Sequence, residues 1–239
     1  MEKKIRLDKY LADMGIGTRK EVKNDIRKGR IKVNGVTETS PECKIDLSSD
    51  KVSVDGHEIG YVSYEYYMFY KPAGCVSATE DKKHKTVVDF IDAKRKDLFP
   101  VGRLDIDTEG LLLITNDGDL AHQLLSPKKH VEKVYYARIA GKVTKQDIAL
   151  FQQGLDIGEE KLTLPAKLDI IKSDLESEIL ITITEGKYHQ VKRMFEAVEK
   201  EVVYLKRMSM GSLSLDESLK AGEYRTLRDD ELNYLKEKV

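Results

Sequence analysis

With 239 residues, 40% of them apolar, the chain is long enough to bury one large core or two modest ones. A formal net charge of -1 says nothing alone about a polyanionic partner, but residues 1–35 hold 11 Lys/Arg against 5 Asp/Glu and the rest 30 against 37, a basic head on a mildly acidic body. Two cysteines exclude a disulfide framework and a zinc site, Met1-Glu2-Lys3-Lys4 is no signal peptide, and no apolar run nears the ~20 residues that cross a bilayer, so a cytoplasmic protein without membrane contact is expected.

In chain order, Leu7, Tyr10, Leu11 and Met14 recur at helical spacing and Gly15 closes that helix. Thr18, with Glu21 three residues on, is a capping box that predicts a second helix as far as Gly29. Ile31 and Val33 alternate before Asn34-Gly35, and Val52 and Val54 before Asp55-Gly56, so short strands with hairpin turns follow. This order, with Arg6-Leu7-Asp8-Lys9-Tyr10-Leu11 in front and Gly29-Arg30-Ile31-Lys32-Val33-Asn34-Gly35 behind, resembles an S4 domain over residues 1–58. The resemblance implies that the second helix and the turn after it bind structured RNA. The candidates are Arg6, Lys9, Thr18, Arg19, Lys20, Lys23, Arg27, Lys28, Arg30 and Lys32, with Thr18-Arg19 matching the usual Ser/Thr-Arg pair. A solvated helix face explains any one of these lysines equally well. Their density is what points to phosphate, because each neutralised phosphate releases counterions.

A connector over 58–64 leads into the second domain, 59–239, whose first strand is the aromatic run Tyr66 to Tyr70. Lys71-Pro72-Ala73-Gly74 follows as a turn. Thr86 to Ile91 and Asp119 to Leu125 read as short helices, the second stopped by Ser126-Pro127. Between them lies Gly102-Arg103-Leu104-Asp105-Ile106-Asp107-Thr108-Glu109-Gly110, crowded with polar groups. It runs into a buried strand, Leu111 to Thr115, and the turn Asn116-Asp117-Gly118. From Val131 to Ile139, alternation puts Lys133, Tyr135 and Ala137 on one face and Val134, Tyr136 and Arg138 on the other.

A capped helix from Thr144 to Gln153 precedes strands at Ala166 to Ile171 and through Ile179, Ile181 and Ile183. In Thr184-Glu185-Gly186-Lys187-Tyr188-His189-Gln190-Val191-Lys192-Arg193-Met194-Phe195, helical phase gathers Val191, Met194, Phe195 and Val198 on one face. Lys192 borders that face and Arg193 points nearly opposite. Lys192 can therefore lay its stem on apolar surface and present its ammonium in a cleft, while Arg193 is left free to meet RNA phosphate. His189 has no second ligand at metal spacing.

The run from Gly102 through Leu113 resembles the signature of the pseudouridine synthases, in the ribosomal-RNA branch that adds an S4-like domain. The resemblance makes Asp105 the catalytic nucleophile, Tyr135 of Lys133-x-Tyr135 the ring that stacks on the target uracil, and Lys192, often arginine in relatives, the basic partner of the aspartate. Lys71-Pro72-Ala73-Gly74 resembles another motif of the family near the cleft, although an ordinary turn accounts for it as well. Arg103, beside the nucleophile, joins Arg193 among the RNA-binding candidates. The implied reaction cleaves the bond between uracil N1 and the ribose, rotates the base and joins C5 to the same carbon, with no cofactor. It calls for an ionised carboxylate, which a neighbouring cation favours, and for a flat ring to receive a base taken out of its stack.

Tyr188 to Phe195, Leu162-Thr163-Leu164-Pro165-Ala166 and Asp105 to Gly110 carry a nearer likeness to the branch acting on uridine 516 of 16S rRNA. A monomer working on a small-subunit assembly intermediate is expected, with 23S rRNA as the alternative target. The expected fold class is α+β: a small S4-like RNA-binding domain, then a mixed α/β catalytic domain with a mainly antiparallel sheet. Loops bearing Asp105 and Tyr135 and a helix bearing Lys192 would converge at a cleft across the sheet face. Two rivals stay open. One is a non-catalytic rRNA-binding assembly factor, and the other a hydrolase using Asp105 and Asp107 as paired carboxylates.

Overall fold

The structure, a computed structural model, describes residues 4–237. The chain forms two compact units. The first runs to Glu65 and takes back Asp92–Leu98, and the second comprises Tyr66–Ile91 and the chain from Phe99 onward. A division at 58/59 has no counterpart for that return. Arg95, 4% exposed, anchors it, donating to Asp97, to the Tyr61 hydroxyl and to the Val62 carbonyl, 3.3 Å from Asp13.

In the first unit β1 (Lys4–Arg6) leads into α1 (Leu7–Asp13) and α2 (Arg19–Arg27), followed by β2 (Ile31–Val33), β3 (Val36–Thr37), β4 (Lys44–Asp46), β5 (Val52–Val54) and β6 (His57–Ile59). The capping box forms as read: Thr18 N–H donates to the Glu21 carboxylate at 2.8 Å, and Glu21 N–H to the Thr18 hydroxyl at 3.4 Å. Both helices bury one stripe, Leu7, Tyr10 and Leu11 with Val22 and Ile26, against Ile31, Ile45 and Val52. Asn34 and Gly35, and again Asp55 and Gly56, have positive φ, the backbone that a tight hairpin between antiparallel strands requires.

The second unit is built on a nine-stranded sheet of the described residues. In chain order it holds β7 (Tyr66–Lys71), β8 (Phe99–Pro100), β9 (Glu109–Thr115), α3 (Gly118–Leu125), β10 (Lys133–Ala140), α4 (Lys145–Gln153), β11 (Lys167–Lys172), β12 (Glu176–Ile183), α5 (Gln190–Glu196), β13 (Glu201–Met210), β14 (Leu213–Ser214), β15 (Tyr224–Thr226) and α6 (Asp229–Glu237). The strand order is β11-β12-β10-β13-β9-β7-β15, with β14 on β13 and β8 on β9. Every pairing is antiparallel except β13 with β9, which run parallel through Lys206 opposite Glu109 and Arg207 opposite Gly110.

One core packs Leu120, Ala121 and Leu124 of α3 and Leu235 of α6 against Met68, Leu111 and Leu113. Under the other half, the Phe151 ring of α4 and the Phe195 ring of α5 meet at 4.9 Å. Where a helix is expected over Thr86 to Ile91, the chain makes a single 3-10 turn, Val88–Phe90. The ten-residue β13 is not anticipated. Its register shifts against β10 and its mixed polar sequence hide the alternation that marks the other strands.

Candidate active site

Asp105 sits in the loop between β8 and β9, and that loop is tied down from both ends. Gly110, at φ +104, is where β9 meets β13; a Cβ there would stand 2.3 Å from the Arg207 carbonyl oxygen, so only glycine permits the approach. At the other end the fully buried Lys71 ammonium donates to the carbonyls of Thr108 at 2.9 Å, Pro72 at 3.0 Å and Ile106 at 3.3 Å. Gly74 N–H donates to Ile106 O at 2.7 Å, and the Ser77 hydroxyl both donates to Leu104 O and accepts from Leu104 N–H. The Lys-Pro-x-Gly turn is thus a clamp on the backbone around Asp105. Burial pushes the Lys71 ammonium below its usual pKa, against the upward pull of nearby groups that include Asp107, Asp105 and Glu109.

Tyr135 lies on β10, a strand rather than a loop, with its side chain 7% exposed. Tyr136 faces the other way, donating to Glu178. From α5, the Lys192 ammonium reaches back to the Asp105 loop. It donates to both carboxylate oxygens of Asp107, at 2.7 and 2.8 Å, and lies 3.5 Å from Asp105 Oδ2. His189 Nε2 stands 3.5 Å from the other oxygen, Oδ1. A pocket of about 80 Å³ brings Asp105, Tyr135, His189 and Lys192 together, floored by Ile183, Val191 and Leu205, with the exposed Arg103 also on its wall.

Burial alone would raise the Asp107 carboxyl, but the Lys192 hydrogen bond and charge outweigh it and hold it below the ordinary value. Burial alone would lower Lys192; Asp107, then Asp105, reverse that and raise it. One ammonium is therefore shared by two carboxylates, with Asp107 the nearer.

Arg193 is placed otherwise than the sequence reading has it. Its helical phase does direct it away from the pocket, but the loop around Gly158 covers that face. The guanidinium donates to Glu159 at 2.8 Å, to Tyr188 O at 3.1 Å and to Ile157 O, so it is not free to meet phosphate. The Thr184–His189 stretch is held in turn by the buried Gln190, which donates to Glu185 and accepts from Lys187 N–H, while Glu185 accepts from Leu164 N–H. That hydrogen bond ties the Leu162 to Ala166 segment to the Thr184–His189 stretch.

Of the first unit's candidates, four are occupied by neighbouring carboxylates. Arg6 pairs with Asp8 and Glu42, Lys9 with Asp13, Lys23 with Asp8, and Arg30 with Asp25 and Asp55. Thr18 is spent on the cap. Arg19, Lys20, Arg27, Lys28 and Lys32 are exposed and stand in no ion pair with the described residues. Three features escape the sequence reading: His189 beside Asp105, Asp107 as the nearer partner of Lys192, and the burial of Lys71. Only the last left a signal, a lysine closing a strand before Pro-x-Gly.

An S4-like unit thus precedes a mainly antiparallel sheet in which the Asp105 loop, Tyr135 of β10 and Lys192 of α5 meet at one pocket. The chain belongs to the RNA pseudouridylate synthase family, whose pattern matches residues 65–197, and carries an S4 domain at residues 5–52. It is 47% identical to an uncharacterised RNA pseudouridine synthase of Bacillus subtilis, over 98% of this chain and 99% of that protein. With ribosomal small subunit pseudouridine synthase A of Vibrio cholerae it shares 42% identity over 95% of this chain and 98% of the relative. With ribosomal large subunit pseudouridine synthase B of Bacillus subtilis it shares 37%, over 97% and 95%. A crystal structure of a pseudouridylate synthase superposes with a TM-score of 0.68 at 38% identity, covering 97% of this chain and 99% of the other.

Proposed function

We propose that this RNA pseudouridine synthase acts on ribosomal RNA, at uridine 516 of 16S rRNA in a small-subunit assembly intermediate, as a monomer. The small-subunit relatives support a 16S target, while the likeness to a large-subunit enzyme keeps 23S rRNA as the alternative. Asp105 is the nucleophile, Tyr135 the ring against which the extruded uracil stacks, and Lys192 the cation that pairs with the carboxylate. Asp105 forms a transient covalent bond that is broken again within the cycle; the bond from N1 to the ribose breaks, the C5 bond to the same carbon forms, C5 loses a proton and N1 gains one. The observation that carries the reading is the convergence of these three side chains on one pocket. Free cations of the S4 unit hold the RNA while the pocket takes one base.

Pseudouridines mapped chemically in 16S and 23S rRNA from cells with and without the protein decide the target. Asp105→Asn should keep the fold and RNA affinity and abolish pseudouridine formation. A variant that turns over near the wild-type rate would overturn the assignment.

A further inference from the structure

A second cleft, of about 890 Å³, opens beside the pocket. The two share Arg103, Leu104, Asp105, Gly186, Lys187 and His189, so they are continuous at the proposed nucleophile. Val76, Pro100, Ile106 and Leu125 give the cleft apolar walls, and Tyr188 stands along it. The exposed Arg103 guanidinium lies in its lining, and the segment that continues from its Ser77–Thr79 wall carries the exposed Lys82 and Lys83.

Tyr188 is 71% exposed, and its ring lies on that of His189, centroids 3.8 Å apart and planes 19° from parallel. One face of the tyrosine is covered and the other is open. A single exposed aromatic is ordinary, but here it coincides with two further features. His189, at φ +48, holds a left-handed backbone conformation that non-glycine residues rarely adopt. The same imidazole that backs Tyr188 reaches Asp105 at 3.5 Å. An open aromatic face with cations nearby is the combination that binds unpaired nucleobases: the ring stacks a base of any identity and the cations follow the backbone.

We propose that this cleft seats the nucleobase adjoining the target uridine, stacked on the free face of Tyr188. The proposal rests on the reading that the Asp105 pocket takes a uridine from RNA. Enzymes that extrude one base commonly contact the nucleotide on either side of it, and this cleft lies where such a neighbour would emerge. A base on Tyr188 also fixes His189 against Asp105, so the neighbouring nucleotide is sensed at the reacting group itself.

The test uses short single-stranded oligoribonucleotides with one uridine and a 2-aminopurine ribonucleotide immediately 5′ or 3′ of it. Wild type should quench the fluorophore at one of the two positions, and Tyr188→Phe should do the same. Tyr188→Ala should abolish quenching and weaken binding about tenfold or more. An abasic residue at that position should weaken wild type by the same factor and leave Tyr188→Ala unchanged. No quenching at either position, equal binding by Tyr188→Ala, or equal abasic losses in both proteins would overturn the proposal. Pseudouridine formation in rRNA is measured on the same preparations. Its absence in wild type would remove the function proposed above, whereas the fluorescence decides the cleft without turnover.

Discussion

In the first unit Arg19, Lys20, Arg27, Lys28 and Lys32 stand exposed and outside any ion pair of the described residues, whereas Lys71, Lys187, Lys192 and Arg193 of the second are engaged. Lys71 is capped by three carbonyls, Lys187 by two and a carboxylate, Lys192 by two carboxylates and Arg193 by Glu159 and two carbonyls. The same residue types do different work. A free surface cation can release counterions from RNA, while an engaged one holds a loop or a carboxylate in place and would first have to give up its partner. Positive charge read from sequence locates the first kind only where no carboxylate has come within reach.

The largest expected effect that could break this contrast is at Lys192. Lys192→Met should lower the single-turnover rate at saturating RNA by about 100-fold or more, the range for losing one preorganised electrostatic partner. Its RNA salt slope should stay at the wild-type value, and Lys192→Arg should keep substantial activity. Asp107→Asn leaves the ammonium to Asp105 alone and should remain active; a collapse there would transfer the positioning role to Asp107.

Lys71 comes next. Lys71→Met leaves the buried Thr108 carbonyl without its donor and should cost about 1–3 kcal/mol in chemical denaturation. The sign with pH follows from its lowered pKa. The unfolded chain binds this proton more tightly, so wild type should gain on Lys71→Met as pH climbs toward 10.5, the ordinary lysine value. A difference that shrinks over that range would refute the buried ammonium.

A smaller effect belongs to the first unit. Replacing Lys20 and Lys28 by glutamine should flatten the log-log salt dependence of RNA binding by about 0.7 to 0.9 for each phosphate no longer neutralised, with the rate at saturation unchanged. The same exchange at Lys9 and Arg30, which are already paired, should flatten it less. Equal slopes for the two pairs would show that ion pairing does not decide availability.

Smallest of all is Arg193→Met, expected to lose about 1 kcal/mol of stability with the loop over Ile157–Glu159 and to leave the salt slope alone. A slope that drops would return Arg193 to the RNA-binding set.

What could be read beforehand was what neighbours in sequence decide. The Thr18–Glu21 box, the two hairpin turns and the opposite facing of Tyr135 and Tyr136 each depend on residues a few positions apart, and all are present. Helical phase likewise separated Lys192 from Arg193. The partners those side chains meet were out of reach, because the 157–159 loop lies some 35 residues upstream of Arg193, and the loop conformation, not spacing, brings Asp107 closer than Asp105. Strand β13 was obscured for a related reason: its pairings to β10 and β9 are distant in sequence and only tertiary contact completes them.

The parallel joint between β9 and β13 has a mechanical meaning. Two residue pairs stitch together two antiparallel half-sheets, one of β11, β12, β10 and β13, the other of β9, β7 and β15. The Asp105 carboxylate belongs to the second half, while the Tyr135 ring and the Lys192 ammonium belong to the first. The pocket therefore straddles a seam, and its geometry is only as stiff as that seam. Tyr204 crosses the joint to donate to Glu109 at 2.9 Å, a rivet set one residue from the glycine that lets the halves touch.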